Sequence, residues 1–430
     1  MKKPVVPRSL LLPFALITSL FALWGFANAV TDPMVTAFKK VLELNNLQAS
    51  MVQMAFYGGY FTMAIPAALL IRKYTYKTGI VVGLVLYASG ALLFYPAAVY
   101  QEFSFFLAGL YVLTFGLAFL ETTANPYILS MGDAETATQR LNLAQAFNPL
   151  GLLGGLIVAQ QFVLRNLQSD NLDFTSLSET AKATIRQADL HVIRDPYVIL
   201  GIVVVAVLIL ILINKMPEKQ EKAHALNFWQ TMAKLVRDKK YTGGVLAQVF
   251  YVGAQIMVWT YIYQYAESLG IDAATAGSYQ FIAFVVFFLG RFICTFLLKF
   301  IDSGKLLMYL AFLGMACIVG VIVSKNILGL YFLVASSFAM SLMFPTIYGI
   351  ALEGLSEDEA KIGAAGLVMA IVGGALLPAL QGAILDIGGT GLKDVYFLGL
   401  PEINLSFVLP LVCFLLIAIY GSRVFKSSEA

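Results

Sequence analysis

Twelve long apolar runs decide what this chain can become. They fall near residues 14–38, 50–71, 78–98, 103–130, 140–163, 196–214, 241–266, 274–298, 305–324, 327–352, 362–384 and 404–424. The hydrocarbon core of a bilayer is about 30 Å thick, and roughly 20 apolar residues of α-helix cross it. The runs have that length. They are too long and continuous for barrel strands, which alternate over about ten residues. Composition agrees: only 12% of the 430 residues are charged and 60% are apolar, against about 25% charged in soluble domains. Mean hydropathy is +0.82. A soluble fold of this size would lack the polar residues to cover its core. The expected class is all-α: a polytopic membrane protein with twelve transmembrane helices.

The first run has a rival reading. Lys2, Lys3 and Arg8 precede it, and "ANA" at 27–29 resembles a signal-peptide cleavage site. The run is long, however, and apolar sequence resumes beyond Asp32. Orientation follows from Lys and Arg, which concentrate in cytoplasmic loops. Placing both termini in the cytoplasm puts Arg72, Lys73, Lys77, Arg140, Lys299, Lys305, Lys361 and the cluster at 215–240 inside. It leaves Lys39, Lys40, Arg165, Lys182, Arg186, Arg194, Lys325 and Lys393 outside. The net charge of +3 gives no reason to expect a nucleic acid partner. Cys294, Cys317 and Cys413 all fall within spans, at no disulfide or metal spacing. No metal or cofactor is expected.

The longest cytoplasmic stretch divides the chain into residues 1–214, a linker at 215–240, and residues 241–430, with six spans on each side. Within the linker, Trp229, Met232, Leu235 and Val236 have helical spacing with basic residues between them, the pattern of a helix lying on the membrane surface. The longest external stretch, 166–195, reads as a loop or a short polar helix, and His191 and His224 as solvated residues. The halves echo each other: "ETTANPYIL" in span four faces "SLMFPTIYGI" in span ten, and "FNPLGLLGGLI" in span five faces "VMAIVGGALLP" in span eleven. Such six-plus-six repetition is the mark of transporters whose substrate site lies between the halves. The glycines of spans five and eleven read as points of close helix packing.

Charged groups inside a bilayer are rare and usually face a cavity. Glu121 follows fourteen uncharged residues in span four, and Asp32 lies in the outer part of span one. Desolvation favours the protonated form of a carboxyl group, which makes Glu121 a candidate proton site. Residues four apart share a helix face. Trp24, Asn28 and Asp32 form one stripe, Glu121 and Asn125 another, and Gln53 and Tyr57 a third. Asn142, Gln145 and Asn148 recur every three residues in span five, and Gln255, Trp259 and Tyr263 every four in span seven, with Gln248 one heptad before Gln255. Amides bond hydroxyl groups and rings stack on the apolar face of a pyranose, so the stripes suit a sugar. Arg291 is the only basic residue well inside a span, and its "LGRF" context near the cytoplasmic end of span eight suggests a gate or packing clamp. "IRKYTYKTG", with Arg72, occupies the matching place after span two.

With these motifs assembled, the chain resembles the fucose–proton symporter family of the major facilitator superfamily. The resemblance runs through both halves: "AFYGGYF" at 55–61, "ETTANPY" at 121–127, "RLNLAQAFNPLG" at 140–151, "FYVGAQIMVW" at 250–259, "MFPTIYGIAL" at 343–352 and "VMAIVGGALLP" at 368–378. It implies two bundles of six helices, a central sugar site reached by alternating access, and proton coupling through Asp32 and Glu121, with Asn148 contacting the sugar. Ala29 and Thr31 in "ANAVTDP" stand where relatives often have Asn, which bears on the choice of sugar. Relatives with similar motifs carry glucose, galactose or N-acetylglucosamine, some with sodium.

The expectation is therefore a proton-coupled L-fucose symporter, working as a monomer in a bacterial inner membrane. A hexose or aminosugar carrier is the alternative. A non-transporting sugar sensor would be expected to carry a signalling domain, and none is read here. An intramembrane enzyme would need a paired nucleophile, a metal cluster or a histidine within the spans.

Overall fold

The computed structural model describes residues 4–42, 46–171, 177–216, 228–385, 392–393, 395–397 and 399–429. Within spans one and two several side chains, among them those of Asp32 and Gln53, lie outside the described set. His224, with the rest of 217–227 in the linker, also lies outside it.

Span one is a continuous helix, α1 (Leu11–Val41), which carries residues 27–29 in its interior. Then come α2 (Asn46–Lys73), α3 (Tyr76–Leu92), α4 (Phe94–Tyr100) and α5 (Phe103–Ser130). Span five is split into α6 (Ala137–Gln145) and α7 (Asn148–Val158), and α8 (Glu179–Ile213) is span six. The linker contributes α9 (Phe228–Arg237). Beyond it lie α10 (Lys239–Ser268), α11 (Ala273–Leu297) and α12 (Ser303–Val323). Span ten is α13 (Ile327–Met340) with α14 (Met343–Leu352), and span eleven is α15 (Glu357–Met369), one tight turn, and α16 (Gly373–Leu385). A two-stranded ribbon, Tyr396–Phe397 with Leu400–Pro401, leads to α17 (Glu402–Ser406) and α18 (Val408–Glu429). Among the described residues eleven stretches are long and apolar enough to cross a membrane, and the 28-residue α2 occupies the place of span two.

Several starts follow from capping chemistry. Asp238, Asp272, Asp302 and Asn326 each accept a backbone N–H in the first turn of α10, α11, α12 and α13. Ser356 and Glu359 close a reciprocal capping box on α15. Each cap satisfies donors that a helix start leaves without partners.

Two expectations need correction. The stretch around 179–195 is neither a loop nor a separate short helix. It is the first half of α8, capped by Ser178 and continuous with span six for 35 residues. The buried Asp189 explains its anchoring, since its carboxylate accepts the N–H groups of Gln168 at 2.8 Å and Ser169 at 3.0 Å. In α9, Leu235 faces inward with Phe228 and Thr231, while Trp229 and Val236 are 73% and 60% exposed. The apolar residues of α9 therefore divide between a buried face and an exposed one.

The breaks in spans five and ten share a cause. Proline has no N–H, so the carbonyl four residues earlier loses its helical donor. Pro149 deprives Gln145 in this way, and Pro345 deprives Ser341. Pro126, in the segment of span four that echoes span ten, lies inside an unbroken α5.

By contacts the chain divides into two compact units. One holds Arg8–Tyr127 and Leu150–Ala225, and the other Met1–Pro7, Ile128–Pro149 and Leu226–Ala430. In the first, α3 packs along α8, and α7 meets α1 closely enough that a Cβ on Gly151 would run into Ala22 O. In the second, α12 packs on α18 and α13, and α10 on α16, α18 and α14. Residues 128–149 group with this second unit, where Arg140 is fully buried. Its guanidinium donates to the carbonyls of Ile128 at 2.8 Å and Leu129 at 2.6 Å. It thereby satisfies the last carbonyls of α5, where a helix C-terminus favours a cation.

Candidate functional site

The unit containing Arg8–Tyr127 holds Glu121, whose side chain is buried at 6% exposure in the middle of span four. Trp24, one turn before Asn28 on α1, lies beside the Glu121 side chain. The same indole N–H lies 3.2 Å from the buried hydroxyl of Tyr60 on α2. Phe21 stacks on Trp24 at 4.9 Å and fixes the indole plane. Among the described residues, Glu121 has no ion-pair partner. Its surroundings are neutral hydrogen-bonding groups and rings.

The stripes are distributed unevenly around this group. Asn125 points back along its own helix, donating to Glu121 O at 3.0 Å. Asn28 has a buried side-chain oxygen with no hydrogen-bond partner among the described residues, an acceptor available for an incoming donor. Asp32 continues the α1 face, but its side chain lies outside the described residues. Tyr60 was missed by the sequence reading, which singled out Gln53 and Tyr57. Its hydroxyl is recognisable only through its partner on another helix.

The second unit holds the other candidates. Trp259 donates its indole N–H to Ser337 Oγ of α13 at 3.2 Å and lies edge-on to Phe284 and Phe287. Tyr263 donates to Gln280 of α11 at 2.8 Å. Gln255, one turn before Trp259, is half-buried. Gln280 and Ser337 are further residues that the spacing left unmarked. Gln280 could have been noticed as a lone amide in the apolar start of span eight. Gln248 is fully buried, with neither side-chain atom bonded among the described residues.

Span five supplies three amides in different settings. Asn142 is committed to helix contacts, donating to Thr138 O at 2.9 Å and to Thr346 Oγ1 of α14 at 3.1 Å. Gln145 is buried, and Asn148 half-buried, on either side of the helix break. Arg291 is buried at 3% exposure, and its charge is spent on backbone oxygens. Nε donates to Ser341 O and Nη1 to Gln145 O, the latter at 3.0 Å. These are the two carbonyls that Pro345 and Pro149 leave without helical donors. Its guanidinium also lies 4.7 Å from the centre of the Phe287 ring. Arg72 sits half-buried in the last turn of α2. Among the described residues, no group of His, Cys, Asp and Glu is arranged to hold a metal ion.

Interrupted helices and buried polar clusters within membrane spans are the features of a secondary transporter. The chain belongs to the Major Facilitator Superfamily, whose sequence pattern matches residues 14–378. Its fold is twelve membrane-spanning helices in two six-helix bundles. It is 56% identical to the L-fucose-proton symporter of Haemophilus influenzae, with 99% of each chain covered. It is 35% identical to the L-fucose-proton symporter of Escherichia coli over 98% of this chain and 95% of that one. A glucose/galactose transporter of Brucella abortus is 32% identical over 94% of this chain and 92% of that one. Among solved structures, the transporter FucP in an outward conformation matches with a TM-score of 0.87 and 34% identity, covering 97% of this chain and 99% of that one. The proton:xylose symporter XylE, at 16% identity and a TM-score of 0.69, shares the fold.

Proposed function

We propose that the chain is a proton-driven importer of L-fucose, a monomer of the bacterial inner membrane with both termini in the cytoplasm. Residues 1–214 and 241–430 are the two working bundles, joined by the linker 215–240. The observation that carries the reading is Glu121, a carboxyl group buried in a span beside Trp24 and Tyr60, with no counter-ion among the described residues. An unpaired carboxylate in such a place carries a large desolvation cost, and a bound proton removes it. The similarity to two chains named L-fucose-proton symporters supports the choice of substrate and ion.

In this reading Glu121 takes the proton while Asp32, on the face shared by Trp24 and Asn28, links proton state to opening. Asn148 and Gln145 bond sugar hydroxyls, and Asn28, Asn125, Asn142, Gln255, Trp259 and Tyr263 are the further sugar-binding residues. Arg291 and Arg72 act as gates. The Trp24 indole N–H can serve the carboxylate when the proton leaves and Tyr60 when it returns, so deprotonation does not strand a charge without a donor.

The test pairs two assays on purified Glu121→Gln in liposomes. Glutamine mimics the protonated acid permanently, so sugar counterflow should persist while uptake driven by a pH gradient disappears. Accumulation by the variant against a sugar gradient would remove Glu121 from the proton path. A glucose, galactose or N-acetylglucosamine carrier, with proton or sodium coupling, is the second reading, favoured by the Brucella relative. Competition for uptake among these sugars and L-fucose, with and without sodium, separates the two.

A further inference from the structure

Away from the polar clusters, α11, α12 and α13 enclose an apolar cleft of about 550 Å³. Ala335 and Phe338 of α13 form its floor, Ile282 and Val286 of α11 one wall, and Leu313 and Cys317 of α12 the other. Ile282 is 48% exposed and Leu313 42% exposed. Open apolar walls on membrane-spanning helices face hydrocarbon, because water there would leave them unsatisfied.

The two ends of the cleft differ. At one end stand Tyr279 and Tyr331, with ring centres 6.1 Å apart. Both lie in the second turn of helices that begin spans eight and ten. With twelve spans, those beginnings are on the membrane side opposite the termini, at the depth where tyrosine favours the interface. The link entering α13 carries the exposed Lys325. The other end stops at Val286 and Phe338. A Cβ on Gly290 would come within 2.9 Å of both Phe338 and Ser341 Oγ, so α11 and α13 touch there. The result is an apolar slot, blind in the membrane interior and open at an interface that offers two phenols and a cation.

We propose that this slot binds one acyl chain of a phospholipid from the leaflet opposite the termini. Its ester region lies against Tyr279 and Tyr331, and its phosphate lies toward Lys325. The chain is the match for the blind apolar end, the headgroup for the polar mouth.

The proposal is tested on the full chain in phosphatidylethanolamine–phosphatidylglycerol nanodiscs doped with a phosphatidylethanolamine that carries a diazirine on one acyl chain. After illumination, peptides of α11, α12 and α13 that line the slot should carry more label than the α8 peptide with Ile199 and Ile202, although those residues are 62% and 59% exposed. Ala335→Trp fills the slot from its exposed floor, so the slot peptides should lose most of their label while α8 keeps its own. If that variant does not fold, Leu313→Phe narrows the slot and must also reduce the label. Labelling that merely follows exposure across α8 and the slot, or that survives the filling substitution, overturns the proposal.

Discussion

Arg291 makes a quantitative prediction possible because its two partners have a known deficit. Pro149 and Pro345 remove the N–H groups that Gln145 O and Ser341 O would accept from in a regular helix, and the guanidinium supplies both. A hydrogen bond involving a charged group is worth about 1.5–3 kcal/mol. Arg291→Ala should therefore destabilise the protein by about 3–6 kcal/mol, roughly half of it through Gln145. Pro149→Ala restores a backbone donor to Gln145 O. In that background the loss of Arg291 should cost about 1.5–3 kcal/mol less than in the parent chain, since one carbonyl is no longer stranded. Equilibrium unfolding of the parent, both single variants and the double variant in mixed micelles gives the full cycle. Additivity within about 0.5 kcal/mol would refute the idea that Arg291 acts as a substitute donor for a proline-broken helix.

Two further outcomes can be measured directly. If Asn148 bonds a sugar hydroxyl, Asn148→Ala strands that partner at about 1–3 kcal/mol, so sugar binding measured by calorimetry should weaken about tenfold or more; unchanged affinity in folded protein would remove Asn148 from the site. Gly151→Ala places a methyl against Ala22 O, and overpacking of this kind costs about 1–3 kcal/mol. Its unfolding midpoint should fall clearly below that of Gly154→Ala, where the nearest side-chain atom is 3.8 Å away.

The span pattern was legible in the sequence because a bilayer imposes one length on every crossing helix. The prolines of "FNPLG" and "MFPTI" stand at helix breaks, but Pro126 lies inside an unbroken α5, so a proline alone does not mark a break. What could not be read was which donor repairs each break, because Arg291 is distant in sequence from Gln145 and meets it only in the fold. The start of α8 was hidden for a related reason. Residues 179–195 are polar enough to pass for a loop, and Asp189 secures them through backbone groups some 20 residues earlier. Around Glu121 the carboxylate and the Trp24 stripe were visible as spacing on single helices. Tyr60 was not, since its role depends on how α2 is rotated toward α1.

The placement of the tryptophans has a spectroscopic consequence. The chain has three. Trp24 donates to Tyr60 beside the buried carboxyl of Glu121, Trp259 donates to Ser337 in the other compact unit, and Trp229 is exposed on α9. Replacing Trp229 with phenylalanine would leave two buried emitters, each with its indole N–H already engaged. Indole fluorescence responds to that hydrogen bond and to nearby charge. The pair would thus report, without any attached dye, on any change of charge at Glu121 from one emitter and on rearrangement of α13 from the other.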